Sequence, residues 1–233
     1  MANSEIDKTP HIPVLLEETL SLFEGIKEGF FVDCTLGYGG HSEALLERYS
    51  QIKLIGIDRD IEAINFASKR LAHFGDRVSF KHGSYADVFP TLDHSTISGV
   101  LADIGVSSLQ LDKRERGFSF LSESLDMRMD QSSDFSAKNV VNEYDEEQLA
   151  DIIYKYGEDR AGRKLAKLIV DNRPFETAIE LSELIKKHHH VPKIHAATRL
   201  FQAIRIEVNN ELGELETLLS SSKDLKDGAM IGN

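Results

Sequence analysis

Three carboxylates, a glycine-rich turn and a histidine are the residues whose types and spacing could do chemistry. Asp33, Asp58 and Asp103 each close an apolar run, at 30–32, 52–57 and 97–102. Between the first two runs lie Gly37-Tyr38-Gly39-Gly40-His41 and a helix-like segment, 42–49, with Ala44, Leu45 and Leu46 as its apolar members. Strand, glycine turn, helix, strand, acid is the order of a βαβ unit that binds a nucleoside cofactor. Glycine has no Cβ, so the turn can take positive φ and come close to a ligand. Asp58 stands about 20 positions beyond the first glycine, the spacing at which such folds bind ribose hydroxyls. Acids that end parallel strands share one edge of the sheet, and ligands bind beyond that edge. A further run, 78–81, leads to Tyr85, either an adenine-facing ring or an ordinary loop aromatic.

The turn fits one cofactor better than another. A dinucleotide fold uses G-x-G-x-x-G, whose third glycine lets helix and strand pack closely. Here Gly37 and Gly39 match but Ser42 stands in the third place. Asp33 before the turn would repel a pyrophosphate and suit a cation. S-adenosylmethionine carries a sulfonium and an ammonium and no phosphate, so it is the expected cofactor. NAD remains the alternative, which would make the protein an oxidoreductase.

The elements that must position these groups follow from the rest of the chain. Its 233 residues, 41 % of them apolar, suffice for one large domain or a domain with an insert. The single cysteine, Cys34, excludes a disulfide framework and a cysteine metal cluster. The polar start has no signal-peptide core, and no apolar run approaches a membrane span of about 20 residues. The expected location is cytoplasmic, with no membrane partner. A net charge of −12 disfavours indiscriminate nucleic-acid binding but not a local grip. Two basic runs could supply one: Arg160, Arg163, Lys164, Lys167 and Arg173, then Lys186, Lys187, Lys193, Arg199 and Arg205. Consecutive His188-His189-His190 cannot easily converge on one ion, so no metal site is expected there.

The pattern predicts an α/β domain with a mostly parallel sheet. Residues 16–23 and 61–74 read as helices. After Gln110 the segment 111–130 suits no strand, and helical faces then dominate. Asp145 with Gln148 reads as a capping pair. Leu200, Phe201, Ile204, Val208, Leu212, Leu215 and Leu219 read as one stripe on a single helix, 196–219. Arg199, Gln202 and Arg205 recur on another face of it. The expected division is a cofactor domain, 1–110 with 201–233, and an inserted helical substrate domain, 111–200.

The motifs HIPVLLEE, DCTLGYGGHS, IGIDRD, LADIGVSSLQLD, ERGFSF, LDMRMD, YGEDR and ATRLFQAIRIEVNNEL occur in this order. The chain resembles the MraW (RsmH) family of S-adenosylmethionine-dependent 16S ribosomal RNA cytosine-N4 methyltransferases. The resemblance covers nearly the whole chain, and ERGFSF with LDMRMD is its most specific part. It implies a class I methyltransferase, a Rossmann-like fold, with a helical substrate domain inserted after the fourth strand. It implies that Gly39, Gly40, His41, Asp58, Tyr85, Asp103 and Gln110 line the cofactor pocket. Tyr85 replaces the phenylalanine of many members and keeps the ring. The implied partner is 16S ribosomal RNA or the small ribosomal subunit, with Arg199, Gln202 and Arg205 as candidate RNA contacts.

Methylating a cytosine amine requires N4 held at about 3–3.5 Å from the methyl group. A hydrogen-bond acceptor for its N–H would localise the lone pair. Asp103 is the candidate for that catalytic role, or for a cofactor ligand only. Many amino-methyltransferases place a proline pair and an aromatic here. This chain has DIGVSS, so Phe118 or Phe120 is expected to supply stacking.

Asp227-Gly228 resembles a turn into a fifth strand that Ala229-Met230-Ile231 would begin. Related enzymes continue with two further strands. Without them the sheet is expected to be incomplete at its C-terminal side, with the fourth strand nearly an edge. The chain is then expected to be less stable and weakly active. It would also self-associate as a homodimer, or serve as a non-catalytic RNA- or ribosome-binding remnant.

Overall fold

A computed structural model describes residues 15–189 and 194–232. The chain divides into two compact units, Met1–Asp103 with Ser221–Asn233, and Ile104–Ser220.

The first unit is a parallel sheet. It opens with α1 (Leu16–Leu22), then β1 (Gly29–Asp33), α2 (Gly40–Arg48), β2 (Ile52–Asp58), α3 (Ile61–Arg70) and β3 (Val78–His82). The short α4 (Tyr85–Val88) and β4 (Ile97–Leu101) follow. The strand order is β3-β2-β1-β4-β5, with β5 (Met230–Gly232) supplied by the end of the chain. All pairings are parallel, with Val32 opposite both Ile55 and Val100. The apolar runs thus become central strands buried on their faces, as parallel sheets require. Phe31, Leu45, Leu46, Ile52, Leu54 and Leu71 are buried in one cluster between sheet and helices. Asp60 caps α3 by accepting the Glu62 N–H at 3.0 Å.

The fourth strand is not the edge. Met230, Ile231 and Gly232 pair with Gly99, Val100 and Leu101, and the Ala102 N–H donates to the Gly232 carbonyl at 3.0 Å. Three residues suffice to cover that side of β4.

The second unit is helical: α5 (Ser108–Asp112), α6 (Ala137–Glu143), α7 (Glu146–Lys155), α8 (Gly162–Asp171), α9 (Ala178–His188), α10 (Thr198–Asn209) and α11 (Glu211–Ser221). Ser136, Asp145 and Thr177 each begin a helix with a capping box. The boundaries differ from the expected 110/111 and 200/201. Leu200, Phe201 and Ile204 are buried in the helical core with Leu149, Ile153 and Leu165, so α10 belongs to this unit. The predicted helix 196–219 is also two helices. Asn210 adopts φ 48° and ψ 39° between them, a left-handed conformation that asparagine tolerates.

The segment between α5 and α6 is held by buried polar groups. The Arg116 guanidinium, 1 % exposed, donates to the carbonyls of Arg128 and Met129, both at 3.1 Å. Asn209 accepts the Met129 N–H at 2.8 Å and donates to the Met127 carbonyl at 2.8 Å. Gly117 has φ 80°, and a Cβ there would meet the Asp126 nitrogen at 2.5 Å. So ERGFSF and LDMRMD are two loops clasped face to face. Phe118 lies in this core and cannot be a stacking platform. Phe120 stacks on His195 at 4.3 Å.

Asn209→Ala would strand the Met129 N–H and the Met127 carbonyl in the interior. The expected loss is about 2–4 kcal/mol, read by urea unfolding. A midpoint equal to that of the parent would remove Asn209 from the clasp.

Candidate functional site

The strand order reverses between β1 and β4, and in such sheets the ligand crevice lies beyond the carboxyl ends at that reversal. Asp33 and Asp103 flank it. The Cys34 N–H donates to the Leu101 carbonyl at 2.8 Å, and the Asp103 N–H to Thr35 Oγ1 at 2.7 Å. The Asp103 backbone is therefore pinned while its side chain is exposed.

Asp33 is buried and does structural work. It accepts Ser42 Oγ–H at 2.6 Å and the Thr35 N–H at 3.1 Å. Burial raises its pKa above the usual carboxylate value, against the pull of these hydrogen bonds and of His41. Asp103 pushes it further up. Ser42, where a dinucleotide turn would have its third glycine, thus ties the start of α2 to the end of β1. The sequence reading missed this role and that of Thr35. The signal available was a serine in place of glycine nine residues beyond a strand-end acid.

Asp58 joins the glycine turn to β2. One carboxylate oxygen accepts the Gly37 N–H and the other the Asp60 N–H, both at 2.8 Å. Each oxygen keeps a second lone pair that can take a hydroxyl. Burial lifts its pKa to about 6, with the two N–H donors opposing and Asp60 and Asp33 adding to the rise. Gly39 caps α2 at φ 73°, and a Cβ there would touch the Leu71 side chain at 3.2 Å. Helix packing as well as backbone conformation therefore demands glycine. Arg70 braces the turn through Glu43, at 2.8 and 2.6 Å, and the Tyr38 carbonyl, at 3.4 Å.

Gly40 and His41 open α2, and Tyr85 opens α4 just beyond β3 with its ring buried. These residues, Asp58 and Asp103 all belong to the sheet unit. Gln110 belongs to the helical unit, where its Oε1 accepts the Ser107 N–H at 3.1 Å and its N–H reaches Ser107 Oγ at 3.3 Å. That reciprocal pair starts α5.

The three residues read as RNA contacts are engaged within their own unit. Arg205 makes a two-pronged bond to Glu211, at 2.7 and 2.9 Å, and Glu211 is 5 % exposed. Gln202 donates to the Tyr156 carbonyl at 3.0 Å and Arg199 to the Glu158 carbonyl at 3.4 Å. His189 pairs with Asp159 at 2.9 Å, and His190 lies outside the described residues. Among the described residues no group of three His, Cys, Asp or Glu could hold a metal ion.

The donor set favours one cofactor chemistry. The crevice offers the Asp58 and Asp103 carboxylates, and the Arg70 guanidinium beside the turn is neutralised by Glu43, which suits hydroxyls and a positively charged ligand and opposes a pyrophosphate. Residues 8–232 match the family model described as the MraW methylase family. The chain belongs to this family. It is 56 % identical over 220 residues to the ribosomal RNA small subunit methyltransferase H of Sulfurovum sp., covering 92 % of this chain and 71 % of that one. It is 53 % identical over 230 residues to the protein of the same name from Nautilia profundicola, covering 97 % and 75 %. As a MraW methylase the chain is a methyltransferase with a Rossmann-like sheet, and its methyl donor is S-adenosylmethionine. No helix of the described residues is long and apolar enough to cross a membrane.

With Asp58 as the expected ribose acceptor, hydroxyls would donate to its ionised form, so binding should favour the deprotonated carboxylate. S-adenosylhomocysteine affinity is expected to fall about tenfold from pH 7 to pH 5, as Asp58 takes up its proton near pH 6. Asp58→Asn should bind more than tenfold more weakly at pH 7 and show a flat profile. Calorimetry at several pH values reads both, and the flat variant separates Asp58 from His41. A parent profile without slope would remove Asp58 from the ribose site.

Proposed function

We propose that the chain transfers a methyl group from S-adenosylmethionine to the N4 amine of a cytidine in 16S ribosomal RNA. The observation that carries this reading is Asp103: an exposed carboxylate at the strand-order reversal, on a backbone fixed by Thr35. The names of the two relatives support ribosomal RNA of the small subunit as the substrate class. Asp58 and the Gly37–Gly40 turn would hold the nucleoside of the donor, with Tyr85 and His41 beside it. Bound S-adenosylmethionine supplies an electrophilic methyl group and its own neutral leaving group.

The remaining chemistry is the protein's. An exocyclic amine is a poor nucleophile because its lone pair is delocalised into the ring. Asp103 accepts a hydrogen bond from the N4–H, which draws the lone pair out of conjugation, and its negative charge offsets the positive charge developing on the amine. The amine proton leaves to Asp103 Oδ or to water. A cytidine in a stack must first be turned out to reach that carboxylate.

The direct test is incubation with methyl-labelled donor and small ribosomal subunits lacking the modification, followed by nucleoside analysis. Labelled N4-methylcytidine is the expected product, and label in another nucleoside or in none overturns the reading. Asp103→Asn is expected to lower turnover much more than it lowers S-adenosylhomocysteine affinity, because the amide accepts a hydrogen bond but carries no charge. An equal loss in both would make Asp103 a cofactor ligand only.

A further inference from the structure

The arginines of α10 are occupied, whereas among the described residues Arg160, Arg163 and Lys164, close together in the chain, make no ion pair. Among the described residues no carboxylate lies within ion-pair distance of Arg160, Arg163 or Lys164, and all three are exposed. Their neighbours are treated differently. Lys155 pairs with Asp151 at 2.9 Å and Lys167 with Asp171 at 3.0 Å. Asp159, the acid next to Arg160, is taken by His189 and by the Ala161 N–H at 2.9 Å. The exposed Glu158 is the one other acid in this stretch of chain. Arg163 and Lys164 lie in the first turn of α8, which carries no acid, and Arg160 just precedes the N-cap Ala161. A helix start disfavours positive charge, so nothing in the fold rewards the arrangement.

An exposed tyrosine of α7, Tyr154, has its backbone and Cβ near the first turn of α8. Gly162 packs onto α7 so closely that a Cβ there would lie 2.8 Å from the Ala150 carbonyl oxygen and 3.6 Å from Tyr154 Cβ. Tyr154 is 61 % exposed. The glycine thus sets an exposed tyrosine against the basic turn. Cations that track phosphates, beside a ring on which a base can stack, are the two elements of a single-strand binding surface.

We propose that Tyr154, Arg160, Arg163 and Lys164 form a docking surface for single-stranded RNA, the three cations on phosphates and the tyrosine under a base. The proposal rests on the ribosomal RNA reading above. It moves the grip from Arg199, Gln202 and Arg205 to the start of α8. In this arrangement Arg199 and Gln202 act at one remove. They hold the carbonyls of Glu158 and Tyr156, and so position the loop that carries Arg160.

The test measures binding to small ribosomal subunits lacking the modification across a potassium chloride series at constant magnesium. Each lost phosphate contact on a single strand lowers the slope of log affinity against log salt by about 0.7. Arg160→Gln/Arg163→Gln/Lys164→Gln should therefore reduce the slope by about 2. Lys155→Gln/Lys167→Gln, which removes two cations already paired, should leave it close to that of the parent. Tyr154→Ala should weaken binding about five- to hundredfold with the slope unchanged, and Tyr154→Phe should restore it. All variants should bind S-adenosylhomocysteine like the parent, which checks folding. Equal slopes for parent and triple variant overturn the surface. Undiminished affinity of Tyr154→Ala overturns its single-strand character. A parent that labels cytidine while the triple variant keeps its slope sinks this proposal alone. A parent that neither binds nor labels the subunits sinks the ribosomal RNA reading with it.

Discussion

The Asp58 carboxylate is the interaction on which the sheet unit depends. Its two oxygens hold the Gly37 N–H and the Asp60 N–H, so one side chain closes the glycine turn onto β2 and shapes the entry to α3. A carboxylate in that position is costly, and its pKa near 6 expresses the cost. Asp60 repeats the device one step on by capping α3. These acids satisfy backbone donors of the turn that would otherwise be left unpaired. The proposed ribose contact would join a binding role to this structural one in a single residue. A substitution at Asp58 would then perturb the turn as well as the proposed ribose contact, and the pH profile is what separates the two.

The helical unit solves a different problem. Between α5 and α6 the chain makes one short 3-10 turn, Arg114–Arg116, and is otherwise irregular over a long stretch, which leaves many backbone groups to satisfy. Arg116 and Asn209 supply the partners from inside. A buried guanidinium and a buried amide are expensive unless geometry is met at several points, so few sequences can build this clasp. That gives a physical reason for the specificity of ERGFSF and LDMRMD: they are two halves of one polar core, and Gly117 is the contact where their backbones touch.

Much of the sheet unit was legible in the sequence. The runs 30–32, 52–57 and 97–102 are strands, legible because parallel strands are continuously apolar; β1 and β2 end on Asp33 and Asp58, whereas β4 ends at Leu101, two residues before Asp103. The helix 61–74 stops being α-helical at Arg70, where a 3-10 segment, Ala72–Arg77, takes over. Helix α6 escaped notice because its seven residues, with Ala137, Val140 and Val141 buried, are too few for periodicity to register. The break at Asn210 was hidden for the opposite reason. The apolar stripe continues through it, and only backbone conformation marks the corner. The fifth strand, expected to begin at 229–231, runs over Met230–Gly232, and its effect on the edge was not read, since pairing depends on where the chain returns.

Charge was the hardest property to read. Arg199 and Arg205 recur at helical spacing and look like a basic face, yet one reaches a carbonyl and the other a buried carboxylate. Removing Arg205 would leave Glu211 charged and uncompensated, a defect that typically costs about 3–5 kcal/mol. Its first duty is therefore to the fold. Arg160 and Arg163 sit in a segment with acids close in sequence, and by composition they look neutralised. Asp159 is committed to His189 and Asp171 to Lys167, and among the described residues the two arginines make no ion pair. Sequence counts charges, whereas recognition depends on which charges remain after the protein has paired its own. In a chain of net charge −12, cations kept unpaired on the surface are the ones an anionic partner can reach.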